Sequence, residues 1–364
     1  MRPWNSLFFL ILKLFVLALF LFPFLASALD EIPELYSAPQ GLAMGNAFTA
    51  DASGYAANYY NPAGLAKVSK KNWEVVPVAL EVMPSLNGLG HNLAVRSGAL
   101  SQISRRMAED AGDYYYHRLN FVPAFSFRRL GVALLMSQQI MGRSDGVDFD
   151  LNFTNDVVPT VGTAFSLADN ILKLGVSGKA VFRQQLKGKI NHTQLASAQS
   201  IESQMKEGVA LGLDVGMLLT LPTKYLPTLG VVWKDATTTK FMGPSQIFQN
   251  QGNGLPDSIE PTINAAFSLH PYFSRDVKST VAFEVKHLQR SDLALRKRIH
   301  LGVQIDTGRT FYVWGGLNQM YWTLGMGLRV SGGNFELGSY GVEIGNGAMT
   351  EENRRFFLRY TLGF

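Results

Sequence analysis

Tyr321-Trp322-Thr323-Leu324-Gly325-Met326-Gly327-Leu328-Arg329-Val330 alternates without a break. Trp322, Leu324, Met326, Leu328 and Val330 share one face; Tyr321, Thr323, Gly325, Gly327 and Arg329 share the other. Neighbouring side chains of a strand point to opposite faces, so this period of two indicates a half-buried strand and not a helix. Soluble strands run to about five or six residues, whereas a tilted strand needs about nine to eleven to cross a bilayer. Glycine opposite the bulky face suits a crowded interior. The apolar face is therefore expected to meet lipid.

The same pattern recurs in residues 208–219, 297–306 and 355–364, with Val209 to Leu219, Ile299 to Ile305 and Phe356 to Phe364 as the apolar rows. Read from residue 72 to residue 364, the chain divides into fourteen strands. Tight connections fall at Arg129, Thr307-Gly308 and Gly332, while residues 85–117, 143–156, 188–207 and 238–258 form longer ones. Short turns at one end and long loops at the other, on an even strand count, are the plan of a bacterial outer-membrane barrel. Lipid also forces such a sheet to close, because unpaired backbone groups find no water there. The expected fold class is all-β: a transmembrane antiparallel β-barrel of about fourteen strands in the outer membrane, surrounded by lipid and lipopolysaccharide. Trp73, Tyr114-Tyr115-Tyr116 and Trp322 fall near strand ends, where interfacial girdles lie.

Composition agrees. Of 364 residues, 47% are hydrophobic and only 17% charged, below the quarter that soluble domains carry. The net charge of +5 is spread rather than clustered, which gives no nucleic-acid footprint. With no Cys, disulfides and thiolate metal sites are excluded. At the N-terminus, Arg2 and Lys13 precede the apolar run from Leu14 to Phe22, Pro23 ends it, and Ala26-Ser27-Ala28 supplies small residues for cleavage. Residues 1–28 are expected to be a signal peptide.

Residues 29–71 lack alternation and are rich in Gly, Ala and Asn. They contain Ala43-Met44-Gly45-Asn46-Ala47-Phe48-Thr49-Ala50 and Tyr59-Tyr60-Asn61-Pro62-Ala63-Gly64-Leu65-Ala66. Small residues allow compact turns within a narrow lumen. This segment resembles the N-terminal hatch of the FadL-type outer-membrane transporters, and Asn61, Pro62, Ala63 and Gly64 match that family's hatch motif. The wider superfamily, with its PorV-type and TraF-like members, is similar as well. The resemblance implies a hatch over residues 29–71, a barrel over 72–364, and passive uptake of hydrophobic or amphipathic small molecules such as long-chain fatty acids. The alternative is a non-transporting envelope component that acts as a secretion or conjugation partner; a helical insertion at residues 94–112 points that way. Tyr360 and Phe364 on alternate positions of the last strand look like the signal read by the barrel-assembly machinery.

No enzymatic constellation emerges. His91, His117, His192, His270, His287 and His300 are dispersed, without metal-ligand spacing. Asp145, Asp148 and Asp150 are expected in an external loop with no His nearby. No catalytic residue, metal or cofactor is expected. Lys173, Lys179, Arg183, Asp214, Glu284, Lys286, Arg329 and Arg359 fall on the polar faces of their strands. Such charges either pair as struts or line a path. Arg329, Arg359, Lys173, Lys179, Arg183 and Glu284 are candidate ligand contacts, with Arg329 or Arg359 suited to hold a carboxylate.

Overall fold

The computed structural model describes residues 31–68, 72–83, 112, 114–195, 203–244, 247–248, 254–274, 277–308, 310–345 and 350–363. The expected signal peptide, the insertion at 94–112 apart from Gly112, and Phe364 lie outside these residues. Fourteen antiparallel strands follow one another around a closed barrel. They are β1 (Asn72–Val82), β2 (Tyr114–Phe127), β3 (Leu130–Ser144), β4 (Asp148–Leu167), β5 (Leu172–Asn191), β6 (Lys206–Thr220), β7 (Thr228–Lys234), β8 (Thr262–Leu269), β9 (Lys278–Val285), β10 (Ile299–Asp306), β11 (Phe311–Asn318), β12 (Tyr321–Val330), β13 (Gly333–Glu343) and β14 (Glu352–Gly363). The ring closes where β14 pairs with β1, Leu358 standing opposite Leu80.

No helix among the described residues is long and apolar enough to span a membrane. The strands do so instead. Trp322, Leu324, Met326, Leu328 and Val330 point outward and are exposed, as are Leu211, Leu213, Val215 and Met217 of β6 and Phe356, Leu358 and Tyr360 of β14. Thr323, Gly325 and Gly327 between them face inward and are buried. A row of large apolar side chains facing outward from a closed barrel is stable only against hydrocarbon. Leu324, 61% exposed, gives the test. Leu324→Arg is expected to cost about 2–4 kcal/mol if it sits at mid-bilayer, read as a lower urea midpoint in liposomes. The conservative Leu324→Met should stay within about 1.5 kcal/mol.

Several expectations about the rim need correction. Residues 143–156 are not a long loop: β3 runs to Ser144 and β4 begins at Asp148. The Asp145 carboxylate accepts from the amides of Val147 (3.0 Å) and Asp148 (2.7 Å), and Gly146 adopts φ 93°, so three residues suffice for the turn. Asp148 and Asp150 therefore belong to a strand. The long connection expected at residues 188–207 is shorter: β5 runs to Asn191, a short helix follows at His192–Leu195, and Lys206 already belongs to β6. On this projecting part the outer face is covered: Phe149, Leu151, Phe153, Leu186, Ile190 and Met205 form a buried cluster. Tyr114 and Tyr116 are not girdle residues, because strand parity continues through them and turns them inward, to Glu31 and Glu81. Trp73 and Trp322 are exposed on the outside, as girdle residues are.

Candidate functional site

The lumen is filled by the N-terminal segment. Its backbone turns into a short helix at Pro39–Ala43, a helical turn at Gly54–Ala56, a second short helix at Ala57–Tyr60 and a 3-10 helix at Pro62–Lys67. Asn61 caps the last of these, its side-chain oxygen accepting from the Ala63 amide at 3.1 Å. Pro62 follows at the first helical position, where its missing N–H costs nothing. The Asn61 amide nitrogen donates outward to the Met217 carbonyl of β6 at 3.2 Å. One side chain thus shapes the hatch and ties it to the wall.

Further ties encircle the hatch. Glu284 of β9 accepts from the amides of Phe48 (2.8 Å) and Thr49 (2.9 Å) and from the Thr49 hydroxyl (2.6 Å). Thr323 donates to the Ala43 carbonyl and accepts from the Gly45 amide, and His300 Nδ1 donates to the Gly45 carbonyl at 2.9 Å. At the short-turn end, His270 Nε2 lies 2.9 Å from Asp51 Oδ1. Between these ties the hatch rests on inward glycines. Gly131, Gly162, Gly175, Gly216, Gly230, Gly302, Gly316 and Gly325 each face it so closely that a Cβ would meet a hatch atom.

Above the hatch, toward the end with longer loops, lies a cavity of about 640 Å³. Residues 31–36 form part of its lining from within, and the upper parts of β3 to β7 supply much of its wall. The lining mixes Leu35, Tyr36, Tyr59, Met141 and Ile259 with Asp156, Lys179, Arg183, Asp214, Lys234 and Asp235. Most of these charges satisfy one another. Lys179 Nζ lies 2.9 Å from Asp214 and 3.0 Å from Asp235, and Arg183 holds Asp156 through two hydrogen bonds of 2.7 and 2.8 Å.

Of the charged residues singled out in the sequence, Lys179 and Arg183 line the cavity; Arg329, Arg359, Lys173 and Glu284 do not. Arg329 grips Asp306 through bonds of 2.9 and 2.6 Å. Arg359 donates to Glu336 and to the Tyr55 hydroxyl, and Lys173 donates to the Asn170 carbonyl. Glu284 is bound to the hatch. Arg118, Arg355, Glu31 and Glu34 hold a prominent place that the sequence does not single out. Arg118 donates to the Glu34 and Leu35 carbonyls at 2.5 and 2.8 Å. Arg355 holds Glu31 through bonds of 2.8 and 2.5 Å, and Lys286 meets Glu34 at 2.6 Å. Burial raises the Glu34 carboxyl, but Lys286 and Lys234 beside it prevail and hold it below the usual carboxylate range. Strand parity assigns Arg355 to the inner face with Phe357 and Arg359. Nothing in the sequence marks Glu31 and Glu34, which lie where no periodicity exists.

No protein-family model matches the chain, and no curated protein matches it by sequence. Among solved structures, the CymD monoaromatic hydrocarbon channel is similar with a TM-score of 0.56 at 11% identity, over 94% of this chain and 99% of that one. The Ralstonia pickettii toluene transporter TbuX is similar with a TM-score of 0.52 at 11% identity, over 90% of this chain and 98% of that one. At such identity the likeness concerns architecture alone. Fourteen strands closed around an N-terminal plug align nearly end to end with these channels, and the chain shares their barrel fold.

Proposed function

We propose that the protein is a bacterial outer-membrane channel for passive uptake of amphipathic small molecules, gated by the hatch of residues 29–71. The observation that carries this reading is the cavity above the hatch, open toward the loop end and lined by apolar and charged groups together. Ligand sites of this kind orient a molecule through a few polar groups and bind it through apolar surface. A purely apolar solute would leave the charged wall unused; an amphiphile matches both parts. Lys179 and Arg183 supply polar contacts within it, and Asn61, Pro62, Ala63 and Gly64 seat the movable floor.

Tyr360, on the outer face of β14, fits recognition by the barrel-assembly machinery during insertion. The partner-protein alternative rests on residues 94–112, which apart from Gly112 lie outside the described residues, and no contact among the described residues favours it.

The test is uptake. Liposomes carrying the purified protein are expected to accumulate dodecanoate faster than empty ones, with no ion gradient or ATP. If rates with and without protein coincide, the proposal fails.

A further inference from the structure

We infer that Lys286, Lys234 and Arg355 form an anion seat for the acidic head of an entering amphiphile, and that Glu31 and Glu34 of the chain itself occupy it at rest. The inference rests on the uptake reading above and adds the seat and its resident occupant.

The cations of the lumen fall into two groups. Lys179, Arg183, Arg329 and Arg359 are neutralised by carboxylates of the wall, Asp214 and Asp235, Asp156, Asp306, and Glu336, and Arg118 has the wall carboxylate Glu81 at 4.0 Å. Such pairs are struts, since neither partner can leave. Lys286 and Arg355 differ. Each has a side chain 2% exposed, and the partner that satisfies each, Glu34 or Glu31, belongs to residues 31–36. Residues 31–38 carry no helix or strand. Polar anchors hold this strap: the ion pairs of Glu31 and Glu34, the Arg118 guanidinium on two strap carbonyls, and the Ser37 hydroxyl and Asn46 amide on Glu34.

A buried cation stripped of its partner is strongly disfavoured, so the strap cannot simply swing away. It can leave only when another anion takes its place. The geometry favours such an exchange at Glu34. Lys286 Nζ lies 5.6 Å from the centre of the Tyr60 ring and Lys234 Nζ 5.3 Å from the same ring. Lys234 also lines the cavity and has no ion pair within 4.0 Å among the described residues. The wall carboxylate Glu284, two residues before Lys286, is held by the hatch groups of Phe48 and Thr49, so Lys286 and Lys234 share Glu34 as the removable carboxylate, and Lys234 lines the space from which a ligand arrives. An incoming carboxylate would take the place of Glu34 on Lys286 and gain Lys234, while its tail lies along the apolar lining. Displacing the strap enlarges the cavity that the ligand has entered.

The chain's own carboxylate is then a competitor, and removing it raises the fraction of protein competent to bind. The experiment measures binding of dodecanoate and of dodecanol to the nanodisc-embedded full-length protein and to Glu34→Gln and Lys286→Met. Wild type is expected to prefer dodecanoate. Glu34→Gln should tighten dodecanoate by roughly tenfold and leave dodecanol unchanged, and Lys286→Met should abolish the preference. In wild type, dodecanoate but not dodecanol should also make the strap cleavable by added protease, a readout needing no variant. Heat-modifiable gel migration shows whether each variant is folded. Equal binding of the two probes, or unchanged or weaker dodecanoate binding by a folded Glu34→Gln, overturns the seat and leaves the uptake reading standing. Binding of neither probe to wild type, with no uptake, removes both.

Discussion

Replacing Gly216 with Val is expected to unseat the hatch and convert a plugged barrel into a leaking one. A Cβ at position 216 would overlap Asn61 Oδ1, the atom that caps the following 3-10 helix, and would crowd Pro62. Neither can retreat: Pro62 is fully enclosed, and a Cβ on Gly175 of the next strand would in turn overlap Ala63 and Pro62. Overpacking a close-fitting interior costs about 1–3 kcal/mol. Losing the cap adds about 1 kcal/mol. Together these exceed what a segment held by scattered hydrogen bonds is expected to absorb, while the wall strands keep their ladders. Single-channel recordings in planar bilayers should show rare, small openings for wild type and sustained conductance for Gly216→Val. The control is Gly178→Ala, where a Cβ meets nothing within 4 Å. A Gly216→Val channel as quiet as wild type would mean that the hatch is not wedged against β6.

Lys179→Met should cost about 3–5 kcal/mol, because Asp214 and Asp235 would remain buried without their shared cation. The Lys179 side chain is 4% exposed and both carboxylates lie within 3.0 Å of it. Asp214 also accepts from the Asp235 amide, and Asp235 from the Thr239 hydroxyl, so the carboxylates cannot turn to water without dismantling the end of β7. Met retains the volume, so the loss reports charge rather than a void. The urea midpoint of the detergent-solubilised barrel measures it. Lys187→Met, which breaks the exposed pair with Asp257, should change stability by less than about 1 kcal/mol. Equal effects of the two substitutions would show that the buried triad carries no special weight.

How far these features can be read from sequence depends on whether a regular period exists. The wall is legible because period two fixes which side of each strand meets lipid, and Leu301, Val303 and Ile305 point outward as their spacing implies. Parity also placed Lys179, Arg183, Arg329 and Arg359 inside. It could not pair them, because Asp306 and Arg329 lie on neighbouring-but-one strands, and only the register across β11 brings them together. At residues 143–156 the closely spaced Asp145, Asp148 and Asp150 suggest a solvated loop, whereas β4 begins at Asp148. In a strand that rises beyond the membrane Asp150 lines the cavity on one side, and Phe149 is covered on the other. Glu31 and Glu34 were invisible, since an aperiodic segment gives no cue to its neighbours.

The glycine socket also bears on how the molecule is made. Hatch residues 43–65 press on β3 to β7 and on β10 to β12, strands distant in sequence, while the barrel is completed only when the last strand meets the first. Once that seam is sealed, a plug pressed against eight strands would have to enter along the axis of a ring of hydrogen bonds. The hatch must therefore be enclosed before the cylinder shuts, serving as the mandrel around which the wall is wound. A precursor lacking it would then stall unsealed in the periplasm, where envelope proteases reach it.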